Sequence, residues 1–194
     1  MLYVHKFIAN FFKLKKHTSM NFNFENLDEE IRTLMRAEVK ADIENNTLYF
    51  SKRFNENGRR LYPQLLLESI ENGNEETLAL ALDVNKCFKE KESRLKNEKS
   101  IQATVPESAN HLFVEGEFNR FYMRAIALKA IKLGRNLLIY RARESNKPRV
   151  ESENLIGKKI SAAILLDDLR KNMAPDKDSL LPTGVNSGIS VKIL

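Results

Sequence analysis

The stretch PESANHLFVEGEFNRFYMRAIALKAIKLG, residues 106–134, constrains this chain more than any other feature. Val114, Phe118, Phe121, Ala125 and Leu128 recur at helical spacing along one broad face, and Gly134 supplies a stop after the last periodic residue. A helix of that length crosses the whole of a small domain. The shorter elements are therefore expected to gather around it, with Gly116 the point at which it is expected to bend.

The strongest strand comes next. In NLLIYRARE, Leu138, Tyr140 and Ala142 alternate with Ile139, Arg141 and Arg143, so Tyr140 is expected to face inward and the two arginines outward. A helix over about 159–170 is expected to bury Ile160, Ala163, Ile164 and Leu166 or Leu169, and GISVKIL reads as a terminal strand. Pro182, Gly184, Asn186 and Gly188 lie between them as a turn-rich connection.

Upstream, LDEEIRTLMRAEVKADI places Leu27, Ile31, Leu34, Met35, Val39 and Ile43 at helical spacing, with Asn26 as the expected cap. Asp28, Glu29 and Glu30 complement the positive end of the helix dipole and read as structural. TLYFSKRF reads as a short extended or turn segment. A second helix over about 59–70 is expected to hold Pro63 in its first turn, where a missing N–H breaks no hydrogen bond. Gly73 ends it, and Asn74 with Thr77 opens a third helix that forms a hairpin with the second. The run KCFKEKESRLKNEKS alternates in charge and reads as a solvated helix end or linker; IQATVP reads as a short strand ended by Pro106.

These elements predict an α+β fold, helix-rich, with a small sheet packed against the long central helix. Residues 20–194 are expected to form a single domain, with an internal subregion boundary at 91–100, and no fixed-period repeat is present. A chain of 194 residues buries roughly 70% of its unfolded surface and needs no covalent staple. The one cysteine, Cys87, excludes an internal disulfide, a CxxC redox pair and a thiolate metal cluster, and it fits a cytoplasmic or otherwise intracellular setting.

The net charge of +6 points toward polyanions less than it first suggests. Lys6, Lys13, Lys15 and Lys16 supply four of those charges, leaving +2 for residues 20–194. Residues 1–19 read as a basic extension with three competing roles: a dispensable tail, a basic amphipathic anchor built on Phe7, Ile8, Phe11, Phe12 and Leu14, or a first structural element. The lysine cluster at 13–16 follows the aromatics, the reverse of a secretory signal, and no run approaches the roughly 20 apolar residues of a membrane span.

The charged centre of the chain carries the functional expectation. Arg120, Arg124, Arg141, Arg143 and Arg149, with Tyr122, are expected to converge where helix meets strand and bind nucleic acid, since guanidinium forks match phosphate oxygens and aromatic faces stack on bases. The structural alternative has the same arginines pairing with neighbouring acids to cover the core. His5, His17 and His111 are the only histidines, in no HExxH or zinc spacing, and Gly157-Lys158-Lys159 lacks a phosphate loop's glycine framework. The enzyme alternative is a metal-dependent nuclease using Glu117, Glu151 and Glu153, the one reading that requires a divalent metal cofactor. The sequence thus supports a non-catalytic nucleic-acid-associated or adaptor protein that takes DNA or RNA, a protein partner, or a second copy of itself. An assembly or scaffold subunit of a larger complex is the third reading.

Overall fold

The computed structural model describes residues 22–96, 99–144, 148–172, 179–182 and 187–194. The expected extension at 1–19, together with Gly184 and Asn186, lies outside them. In chain order the elements are α1 (Glu29–Glu44), α2 (Glu56–Asn72), α3 (Glu75–Val84), β1 (Lys91–Lys96), β2 (Lys99–Thr104), α4 (Ala109–Lys132), β3 (Leu137–Arg141), α5 (Val150–Glu153), β4 (Lys159–Ile160), α6 (Ala162–Lys171) and β5 (Ile189–Ile193). This is the helix-rich α+β fold, with small antiparallel sheets and a long central helix.

Helix α4 is the axle. It packs against α1, α3, α6 and β5, and every residue from Glu117 to Ala127 is buried. The broad apolar face read from the sequence is therefore only part of what this helix buries. A helix enclosed all round has no solvent flank, so its polar residues must find partners inside. Gly116 lies within the continuous helix. The chain leaves α4 through Gly134, whose φ of +64° is the left-handed conformation that glycine adopts without strain.

Helix α1 runs antiparallel to α4. Lys129 near the end of α4 reaches Asp28 and Glu30 at the start of α1, while Arg124 one turn earlier reaches Glu38 and Asp42. Asp28 caps α1, its side chain accepting from the Ile31 N–H at 2.9 Å, in place of the expected Asn26. Helix α2 begins at Glu56 under an Asn55 cap, three residues earlier than expected. Pro63 consequently falls in the helix interior, not the first turn; one backbone hydrogen bond is given up there while Tyr62 and Leu66 stay fully buried. Asn74 and Thr77 form a reciprocal capping box at the start of α3.

Strand β3 is the centre of a three-stranded antiparallel sheet in the order β4-β3-β5. Ile139 and Tyr140, on opposite faces, are both buried. Ser190 lies opposite Tyr140 in the register and its hydroxyl contacts Asn119 of α4 at 2.7 Å, which turns that face toward the central helix. Over the same region runs the segment 22–27. Asn23 donates to the Ala142 carbonyl at 2.7 Å, its own carbonyl accepts from the Tyr140 hydroxyl at 2.6 Å, and the Phe24 ring lies 4.5 Å from that of Tyr122. Helix α6 buries Ala162, Leu165, Leu166 and Leu169. This differs in phase from the expected stripe: Ile160 is in β4, and Ala163 and Ile164 face outward, Ile164 at 59% exposure.

The charged run after α3 is neither a helix end nor a linker. Strands β1 and β2 pair antiparallel along their whole lengths, from Lys91↔Thr104 to Lys96↔Lys99. No helix is long and apolar enough to cross a membrane among the described residues.

Candidate functional site

The arginines of α4 do not form an outward recognition face. Arg120 and Arg124 are 3% and 2% exposed, and Tyr122 is fully buried. Their position on α4 explains this, because that stretch of the helix is enclosed on every side. Arg124 donates from Nε to Glu38 at 2.7 Å and from Nη1 and Nη2 to the two oxygens of Asp42 at 2.7 and 2.9 Å. Arg170 from α6 reaches the same Glu38, with Nε at 3.0 Å. Burial opposes ionisation of Glu38, but Arg170 and Arg124 together outweigh it and hold the carboxyl below its ordinary pKa. One acid pair from α1 thus joins α1, α4 and α6 through guanidinium forks.

Arg120 makes a second buried pair. Its Nη2 lies 2.7 Å from Glu117, whose same oxygen accepts from the Tyr62 hydroxyl at 3.5 Å. Burial pushes Glu117 up and Arg120 only partly offsets this, whereas for Arg120 the penalty of burial is outweighed by Glu117. The first direction favours a neutral acid and the second a charged pair. The 2.7 Å contact is the geometry of a charge-assisted bond, and we assign the charged pair.

The strand arginines are also engaged. Arg141 binds Glu153 of α5 and the Ser187 carbonyl, the latter at 2.7 Å. Arg143 reaches Glu115 of α4 at 3.2 Å and lies over the Phe22 ring at 5.6 Å. Both are largely covered, and Arg149 alone of the expected set stands exposed. The expected convergence of Arg120, Arg124, Arg141, Arg143 and Tyr122 on a nucleic-acid face is therefore corrected: these groups are committed to internal partners or to the core.

The acids of the nuclease alternative are likewise separated by their partners. Glu117 faces Arg120 and Tyr62, Glu153 faces Arg141, and Glu151 is exposed on α5. No group of three histidine, cysteine, aspartate or glutamate side chains is placed to hold a metal among the described residues. An open groove of about 480 Å³ between α1 and α2 is lined by Arg36, Lys40, Glu68 and Glu71 among others, with Arg36 paired to Glu71 at 3.0 Å.

Among the surfaces presented to solvent is the ribbon formed by β1 and β2. Its strands pack chiefly on each other. It is tied to the body at its base, where Lys89 donates to the Arg53 carbonyl at 2.9 Å and Phe54 bridges to Phe88. Arg53 holds Glu92 at 2.7 and 3.1 Å, and Arg94 binds the same carboxylate; Arg53 and Arg94 pull Glu92 down to a pKa of about 2. Outside that pair the ribbon offers Lys91, Lys99 and the exposed Leu95, at 82%. The sequence places β2, from IQATVP, but reads β1 as a helix end or linker because its residues are polar on both faces and leave no apolar alternation. The available signal was two runs of equal length flanking Asn97 and Glu98, bounded by Phe88 and Pro106. Comparison with known proteins returned no matching family model, no similar curated protein and no similar solved structure.

Proposed function

We propose that this is a non-catalytic nucleic-acid-associated protein whose contact element is the β1–β2 ribbon. The observation that carries the reading is a basic two-stranded element turned to solvent while the arginine centre is consumed internally. Residues 86–104 hold Lys86, Lys89, Lys91, Arg94, Lys96 and Lys99 against Glu90, Glu92 and Glu98. Phosphate-bearing polymers bind such elements by releasing condensed counterions, so affinity falls steeply with salt. The buried arginines of the body are neutralised by Glu38, Asp42 and Glu117. A cytoplasmic or other reducing setting accords with the reading, since the one cysteine, Cys87, has no second thiol in the chain with which to pair.

The test compares the full chain with its Lys91→Ala/Lys99→Ala variant against duplex DNA across a salt series. Loss of two phosphate contacts lowers the slope of log affinity against log salt by about 2. Equal slopes in the two proteins would remove the ribbon from the interface. The same samples, given Mg²⁺ or Mn²⁺, are expected to leave the polymer intact; cleavage abolished by Glu117→Gln would favour the nuclease reading instead.

A further inference from the structure

The two faces of the ribbon differ, and the difference names a partner. Side chains alternate along each strand, so the register sorts them into two sets. Glu92, Arg94 and Lys96, with Lys99, Ile101 and Ala103 opposite them, share one face. That face meets the body only at its base, where Arg53 grips Glu92 and Ala103 opposite it is half-buried, while Arg94, Lys99 and Ile101 are exposed. Lys91, Ser93, Leu95, Ser100, Gln102 and Thr104 share the other face, and all six are exposed. Within it the Ser93 and Ser100 hydroxyls lie 2.6 Å apart.

We infer that this outward face reads base edges in the major groove of duplex DNA. The inference rests on the nucleic-acid reading of the ribbon and adds what the ribbon recognises there. A two-stranded antiparallel ribbon fits the B-form major groove, which is about 12 Å wide. The chemistry of the face matches what that groove displays. The Gln102 amide has the paired donor and acceptor that suit adenine N6 and N7, and Leu95 suits the thymine methyl, while Lys91 at the end of the face is left for phosphate. Ser93, Ser100 and Thr104 each carry a hydroxyl that donates or accepts. A protein-binding face of this size would be expected to centre on aromatic or aliphatic anchors; here Leu95 is the sole large apolar group among the six. The A-form major groove of RNA is too narrow and deep for side chains to read, so duplex RNA is a poor match. Glu92 is held on the opposite face between Arg53 and Arg94, which offset its charge.

The experiment selects duplexes from a random-sequence DNA pool with the full chain, then measures affinity for the enriched sequence and for an unselected duplex. An enriched sequence is expected. Gln102→Ala, at an exposed position that leaves the fold intact by circular dichroism, should weaken binding to the enriched sequence about tenfold and leave the unselected duplex unchanged. Glu92→Gln, on the opposite face, should not change which sequence is preferred. Ribbon-dependent, salt-sensitive binding with no enriched sequence would overturn base reading while leaving the nucleic-acid function standing. Equal affinity for duplex DNA, duplex RNA and single strands would overturn it as well. Absence of any binding that depends on Lys91 and Lys99 would sink both proposals.

Discussion

Glu75 sits at the first position of α3 with one carboxylate oxygen accepting from the Phe22 N–H at 2.9 Å and the other buried without a hydrogen-bond partner. Burial raises its pKa above the ordinary 4.5; the Phe22 N–H opposes the shift, and nearby Glu76 and Glu115 add to it. Glu115 is raised for the same reason, with Arg143 offsetting part. A raised carboxyl means that the folded chain holds its proton more tightly than the unfolded chain does. Stability from these groups is therefore fully present below 4.5 and is lost as pH rises through their folded values. Glu38 has the opposite sign: its contribution is present above 4.5 and is lost as pH falls below it. Above pH 4.5 Glu75 and Glu115 therefore make stability decline as pH rises. Urea denaturation between pH 4 and 8 checks it, and Glu75→Gln should flatten the decline on the alkaline side; a variant curve parallel to the parent's would contradict the assignment.

At the scale of elements, the ribbon and the central helix are opposites. Every residue of α4 from Glu117 to Ala127 is buried, whereas the ribbon leaves both faces largely polar and wet. A two-stranded hairpin without a packed face is marginal by itself. Its amides should consequently exchange with solvent through local opening, orders of magnitude faster than those at the middle of α4, which open only with global unfolding. Native-state hydrogen exchange reads this directly, and equal protection in the two would mean that the ribbon is buttressed. The contrast also explains what the sequence revealed. Helix α1 and α4 were legible from periodic apolar residues such as Ile31, Met35, Val114 and Phe118, and β3 from the alternation around Tyr140. Of the ribbon only β2 was legible, from IQATVP before Pro106; β1 and its pairing were not, since a strand polar on both faces leaves no hydrophobic trace. Helix α6 was placed but rotated, because Ala163 and Ile164 are as apolar as the residues it buries. The site arginines were visible as a cluster in the sequence, yet their direction depended on how completely other elements enclose α4, which no local pattern reports.

Across the whole molecule, the segment 22–27 closes the structure. Phe24 lies against Tyr122 and Phe118, Asn23 bonds to Ala142 and Tyr140, and Glu25 bonds to Lys192 at 2.9 Å. A chain cut to 20–194 should keep its cooperative thermal transition, while one cut to 28–194 should melt well below it, having lost a buried-side aromatic worth about 2 kcal/mol together with two backbone ties. Scanning calorimetry of the two proteins separates them; equal melting temperatures would show that the segment is decoration. The union of α1, α4 and α6 at Glu38, Asp42, Arg124 and Arg170 carries a consequence for descent. Removing Arg124, Glu38 or Asp42 strands a charge in the interior, at about 3–5 kcal/mol, a large fraction of what a domain of this kind has to spare, whereas loss of the half-exposed Arg170 leaves Glu38 paired to Arg124. Neutral drift at the three buried positions is therefore blocked one substitution at a time. Lineages diverging from this chain should either keep all three or exchange them together for apolar residues, so that those positions are inherited as a single unit.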